Sequence, residues 1–202
     1  MAATLAVAGD RAETPTSESE VDGRTLAGCA KGDAAALRRF VVTYQPVVFA
    51  YLSRALGHGP HVEDLAQEVF LRAIRALPHF NPDGPARPST WLLTIAAHAA
   101  IDARRSKREL LPLSGGEGAG LADFSTPETK LSRSEIGQAV MQAASRLPGD
   151  LRDAFVLAEF HDLTMQQIAE ISGVPANTIK ARVSRARERL RELLGDLWEE
   201  QR

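Results

Sequence analysis

An all-α fold is predicted, with two small helical domains joined by a flexible linker and the second domain a helix-turn-helix. Three observations carry that prediction. Apolar residues recur at the i, i+3, i+4, i+7 spacing of helices along both halves of the chain. Aromatics make up only 5% of the 202 residues, so Ala and Leu must fill the cores, which favours helices. A tract rich in Pro, Gly and Ser, "LPLSGGEGAGLADFSTP", separates the two periodic halves. The resulting division is an arm over 1–20, a first domain over 21–109, a linker over 110–127 and a second domain over 128–196.

Residues 1–20 have little apolar periodicity and read as a disordered arm. A short helix is expected from Val21 to Ala30, broken by Lys-Gly-Asp at 31–33. Asp33 is placed to cap a helix over Ala34–Leu56, which Pro46 should bend or restart. Gly57-His58-Gly59-Pro60 reads as a turn.

A third helix is expected from Pro60 to Leu77. Val62, Leu65, Ala66, Val69, Phe70, Ala73, Ile74 and Leu77 form its apolar stripe. Asp64, Gln67, Glu68, Leu71 and Arg75 collect on the opposite side. A leucine among acids, an amide and an arginine suits a contact patch for another protein; a solvated face with one stray leucine has the same pattern.

The next helix, Thr90–Arg108, follows a loop at Asn81–Ser89. Leu92, Ile95, Ala96, Ala99 and Ala103 make its core stripe. Trp91, His98 and Arg105 recur every seven residues on a second stripe, and the helix closes on Arg104, Arg105, Ser106, Lys107 and Arg108. Aromatics beside cations suit unstacked bases and phosphates, although Trp91 alone fits core packing equally well.

In the second domain, a helix is expected from Thr126 or Glu128 through Ser145, with Leu131, Ile136, Ala139, Val140, Ala143 and Leu147 inward. Another runs over Leu151–Phe160. Thr164 and Gln167 form a capping box for a helix over Met165–Ser172. Gly173-Val174-Pro175 turns the chain into a final helix. Ala169, Gly173 and Ile179 take the small, turning and apolar positions of a helix-turn-helix. Ile179, Val183, Ala186, Leu190, Leu193 and Leu194 face inward. Asn177, Ala181, Ser184 and Arg185 face outward, flanked by Thr178, Lys180, Arg182, Arg187 and Arg189. Outward residues near the amino end can reach base edges, while flanking cations hold phosphates.

Net charge is −2, yet acids gather in the arm and cations at 104–108 and 180–191, and local patches decide binding. Cys29 is the single cysteine, so no intramolecular disulfide forms and a buried thiol is expected. No apolar run approaches the roughly 18 residues that cross a bilayer, and no signal peptide is visible, so cytoplasm is expected. The histidines lack metal-ligand spacing, "SGGEGAG" lacks the lysine of a phosphate loop, and no nucleophile–base pair is present. No catalytic residue, metal or cofactor is therefore expected.

The stretches "DLAQEVFLRAIRALPHF" and "STWLLTIAAHAAIDARRSKR" resemble the polymerase-binding and promoter-melting domain of bacterial extracytoplasmic-function (ECF) sigma factors, in the sigma-70 family. "LTMQQIAEISGVPANTIKARVSRARERLREL" resembles the −35 reading domain of the same family. The resemblance implies a promoter-specificity subunit of RNA polymerase. It implies that Asp64, Gln67, Glu68 and Leu71 hold the β′ coiled coil of core polymerase. Phe80, the loop Asn81–Ser89, Trp91 and His98 would surround a flipped-out −10 base. Arg104, Arg105, Lys107 and Arg108 would track phosphates. Asn177, Lys180, Ala181 and Ser184 would read −35 bases, with Thr178, Arg182, Arg185 and Arg187 beside them, and the second domain would meet the β flap. Many relatives are held by an anti-sigma factor, so one is expected as a partner. Where the family often has asparagine in "IARN", this chain has His98 in "IAAH", a bulkier group that can also hydrogen-bond to a base. The alternative is an autonomous helix-turn-helix regulator.

Overall fold

The computed structural model describes residues 20–84, 86–110, 135–161 and 163–200. Its elements are α1 (Gly23–Ala30), α2 (Ala34–Leu56), α3 (Pro60–Ala76), a 3-10 turn (Leu77–His79), α4 (Pro88–Leu110), α5 (Glu135–Ser145), α6 (Gly149–Phe160), α7 (Met165–Ser172) and α8 (Ala176–Glu200). No strand occurs among the described residues. The expected start of the α5 helix at Thr126 or Glu128, and the 111–127 tract, lie outside them.

Local chemistry sets the boundaries. Asp22 Oδ1 accepts the Thr25 N–H at 2.7 Å to cap α1, and Asp33 Oδ1 accepts the Ala36 N–H at 2.7 Å to cap α2. Between them Gly32 adopts φ 79°, a left-handed conformation costly for a side chain with a Cβ. Gly28 permits the close approach of α1 to α2, because a Cβ there would stand 2.8 Å from that of Ala36.

The expected restart of α2 at Pro46 does not occur: the helix is continuous from Ala34 to Leu56. Pro46 is exposed, while Val47, Val48, Tyr51 and Leu52 beyond it are buried. Tertiary packing of that face outweighs the one backbone hydrogen bond that proline removes.

Helix α2 is the hub of the molecule. It packs on α1, α3 and α4 within the first domain and on α5 and α6 of the second. Phe40 meets Tyr44 and Phe70 edge-on, at 4.9 and 6.4 Å between ring centroids. In the second domain, α8 carries Ile179, Val183, Ala186, Leu190 and Leu193 into the core against α5, α6 and α7.

The two domains are packed together. The Tyr51 ring on α2 meets the His161 ring edge-on at 5.5 Å, and Arg54 lies over Phe160 at 4.7 Å. Arg152 of α6 donates through Nε to Ala144 O at 3.0 Å, through Nη2 to Leu147 O at 3.1 Å and to Ser145 O, and through Nη1 across the boundary to Ala55 O at 3.2 Å. Burial of this network pulls the Arg152 pKa down, helped by the nearby Arg104 charge.

Candidate nucleic-acid and partner interfaces

Of the apolar stripe expected on α3, Val62, Ala66, Val69, Phe70, Ala73 and Leu77 are buried and Leu65 and Ile74 half-buried, while Asp64, Gln67, Glu68 and Leu71 are all exposed. Leu71 is 54% exposed, so it contributes little to the core. Glu68 is engaged by Arg72, which donates to its Oε1 at 2.6 Å and reaches Asp102 of α4 at 3.7 Å. One exposed leucine thus sits among polar side chains, the pattern expected from the sequence.

The second surface gathers at the amino end of α4. Phe80 and Trp91, both half-buried, stack with centroids 4.8 Å apart and planes tilted by 41°. Asn81 shapes the loop: its Oδ1 accepts the Asp83 N–H and its carbonyl accepts the Gly84 N–H, each at 3.1 Å. Thr94 caps back onto Thr90 O at 3.0 Å.

Glu20, the last residue of the expected disordered arm, is placed within this site. Its Oε1 accepts a hydrogen bond from Ser89 Oγ at 2.5 Å, and its Oε2 accepts one from Tyr44 Oη. The Tyr44 hydroxyl in turn accepts the Val21 N–H at 3.2 Å. Burial, then the bond to Glu20, pushes the Tyr44 pKa up, so the phenol stays a donor. One carboxylate thus ties α2 to the first turn of α4, where the helix dipole favours negative charge. A lone acid in a polar arm carries no periodic signal that would have pointed to it.

Farther along α4, His98 donates from Nε2 to Ile171 O of α7 at 2.8 Å. Arg104 makes a two-pronged pair with Asp153 of α6: Nη1 donates to Oδ1 at 2.6 Å and Nη2 to Oδ2. Burial lowers the Arg104 pKa, but the Asp153 carboxylate outweighs it and the guanidinium stays charged. Arg105 is exposed. The side chains of Lys107 and Arg108 lie outside the described residues. Asp153 had a sequence signal that was missed: it keeps phase with the buried Leu157 and Phe160 on α6, and an acid on an apolar stripe needs a cation from elsewhere.

The third surface is the amino half of α8. The Thr164–Gln167 capping box is formed, the two bonds measuring 2.9 and 3.2 Å, and Gly173 turns at φ 66°. Asn177, Thr178, Lys180, Ser184 and Arg185 are exposed, and Ala181 is half-buried. Arg182 meets Asp150 at 3.2 Å and Arg187 meets Glu159 at 2.5 Å.

Residues 40–109, covering most of α2 with α3 and α4, match Sigma-70 region 2, and residues 137–190 match Sigma-70, region 4. ECF RNA polymerase sigma factor SigW of Bacillus subtilis is 34% identical over 176 residues, covering 83% of this chain and 93% of the relative. This chain belongs to the ECF sigma factors of the sigma-70 family. ECF RNA polymerase sigma-E factor of Escherichia coli is 35% identical over 167 residues, covering 78% of this sigma factor and 86% of the relative. Among solved structures, sigma factor RpoE of Bartonella quintana, in complex with the anti-sigma factor NepR, aligns with a TM-score of 0.64 at 26% identity. That alignment covers 78% of this sigma factor and 96% of the other chain. CnrH, in complex with the cytosolic domain of CnrY, has the same fold, with a TM-score of 0.56 at 22% identity over 86% of this chain and 96% of that one.

The α3 patch and the α4 stripe therefore belong to region 2 of this sigma factor, and the exposed face of α8 to region 4. The described residues hold no cluster of His, Cys, Asp and Glu suited to a metal ion, and no helix long and apolar enough to cross a membrane.

Proposed function

We propose that this sigma factor binds core RNA polymerase through the α3 patch and directs promoter recognition and transcription initiation through α4 and α8. The observation that carries the reading is the pairing of two modules in region 2, region 4 order, each presenting a polar face beside its buried stripe. Leu71, centred among Asp64, Gln67 and Glu68, is the anchor for the β′ coiled coil. Phe80, Trp91 and His98 surround the extruded −10 base. Extrusion costs a few kcal/mol, which stacking on the Phe80–Trp91 pair offsets. Arg104, Arg105, Lys107 and Arg108 follow the adjoining phosphates.

In region 4, Asn177, Lys180, Ala181 and Ser184 face −35 base edges, while Thr178, Arg182, Arg185 and Arg187 hold the backbone. The β flap is the polymerase partner of this domain. The complex of sigma factor RpoE with the anti-sigma factor NepR supports an anti-sigma factor as a regulatory partner. The role requires no catalysis by this chain and places it in the cytoplasm with the polymerase.

Run-off transcription with core polymerase on a genomic promoter library tests the reading. Defined start sites sharing −10 and −35 sequences are expected; absence of any transcript overturns it. A gel shift with the chain alone separates this role from an autonomous regulator, which would bind a complete promoter tightly without polymerase.

A further inference from the structure

The two rings proposed to take the extruded −10 base stand at opposite ends of one loop. Phe80 closes the 3-10 turn, donating its N–H to Leu77 O at 3.0 Å. Trp91 lies in the first turn of α4, where its N–H donates to Arg87 O at 2.9 Å. How the rings meet therefore depends on how the two flanks of the loop are held.

One short segment, Glu20–Ala30, holds both flanks. Helix α1 packs on the 3-10 turn and so fixes the Phe80 side. Glu20, three residues ahead of α1, accepts from Ser89 Oγ at 2.5 Å and fixes the Trp91 side. The other oxygen of that carboxylate accepts from Tyr44 Oη, and the same hydroxyl accepts the Val21 N–H. Glu20 is thereby anchored to α2 and, through Tyr44, to the backbone beside it. Ser89 and Tyr44 are fully buried, so water does not compete for their hydroxyls, and a carboxylate is the stronger acceptor. Neither bond buries apolar surface; together they set where the first turn of α4 stands against α2.

We propose that Glu20 is a positioning residue for −10 recognition, setting through Ser89 the first turn of α4 and hence the attitude of Trp91 towards Phe80. It touches no DNA itself. It lies ahead of residues 40–109, which match Sigma-70 region 2, so promoter opening by this sigma factor depends on a side chain outside that segment.

The inference rests on the promoter reading of α4, so its test pairs a measurement on DNA with one on the free chain. The chain has two tryptophans, and Trp198→Phe leaves Trp91 as the single reporter. Acrylamide quenching of Trp91 in that full-length background reads the pocket without DNA. Opening of a promoter recovered by run-off, followed with 2-aminopurine in its −10 strand, reads the use of the pocket by the holoenzyme. Glu20→Ala should raise the quenching constant about twofold and reduce opening about tenfold, with polymerase affinity kept within about twofold. Ser89→Ala should act in the same direction, and the double variant should be no worse than Glu20→Ala, since the tie is lost only once. Additive losses, or polymerase affinity falling in step with opening, would make Glu20 a structural tie and overturn the proposal. Unchanged quenching or unchanged opening in a folded Glu20→Ala chain would overturn it as well. Should the unsubstituted holoenzyme open no promoter, the promoter reading falls, and quenching alone decides whether Glu20 holds Trp91.

Discussion

Helices α4 and α8 carry the two proposed DNA-facing surfaces, and they differ in how far those surfaces are tied to the rest of the chain. The amino half of α8 leaves Asn177, Thr178, Lys180, Ser184 and Arg185 open to solvent. On α4, His98 and Arg104 are tied to α7 and α6. A helix with one packed face declares its function through the residues left over. When a second domain covers a helix, contacts with its own chain and contacts with a ligand draw on the same polar residues. Shape and charge alone do not separate the two uses.

That comparison can be broken or sharpened by substitution. The largest effect is expected from Arg185→Ala on the open helix. Loss of one exposed cation should weaken holoenzyme binding to promoter DNA by about 1–3 kcal/mol, up to roughly a hundredfold, in a filter-binding or footprinting titration. An unchanged affinity would remove Arg185 from the backbone contacts proposed for α8.

Leu71→Glu tests the partner patch that no domain covers. Polymerase affinity should fall by about 2 kcal/mol, roughly thirtyfold by surface plasmon resonance, while thermal stability shifts by no more than about 0.5 kcal/mol. A variant that unfolds would make Leu71 a core residue after all.

The covered boundary should show itself in pH dependence. Burial first, then the Arg54 charge, pulls the His161 pKa from 6.5 to about 3. Between those values the unfolded chain binds a proton that the folded chain refuses, so stability rises with pH and is lost as pH falls below about 6.5. The loss should approach about 1.4 kcal/mol per pH unit, or about 2 kcal/mol by pH 5, in urea titrations. The His161→Phe variant should lack this contribution; an equal slope in that variant would assign it to other groups.

The smallest effect is local. Thr164→Ala removes the side-chain half of the α7 capping box and should lower stability by about 1 kcal/mol in the same titrations. Binding to −35 DNA should follow only through that loss.

Much of each element could be read in advance because its cause is local. Asp33 and Thr164 cap α2 and α7 where their side chains reach the nearest free N–H groups. The inward stripe of α8 follows from its spacing. Of the two outcomes expected at Pro46, the restart did not occur, because Val47, Val48, Tyr51 and Leu52 all gain burial from a continuous helix. The core stripe expected on α4 was incomplete for a related reason. Leu93, Ala97 and Ala100 are buried too, in a helix that packs on α2, α3 and α7.

The candidate site divides in the same way. The composition of the α3, α4 and α8 faces was legible, as were their order and their likeness to sigma-70 regions. Glu20 left no such signal, and Asp153 signalled only that an acid on an apolar stripe needs a cation; the partners were not legible, since Glu20 lies 69 positions from Ser89 and Asp153 lies 49 from Arg104.

By itself, the sequence determined the helices, their caps, their buried faces and the family, all of which follow from spacing within a few turns and from the order of the motifs. Tertiary structure decided the packing of one domain on the other and the occupation of His98 and Arg104. Contacts between residues tens of positions apart leave no periodic trace, and only the folded chain brings a carboxylate of α6 to a guanidinium of α4.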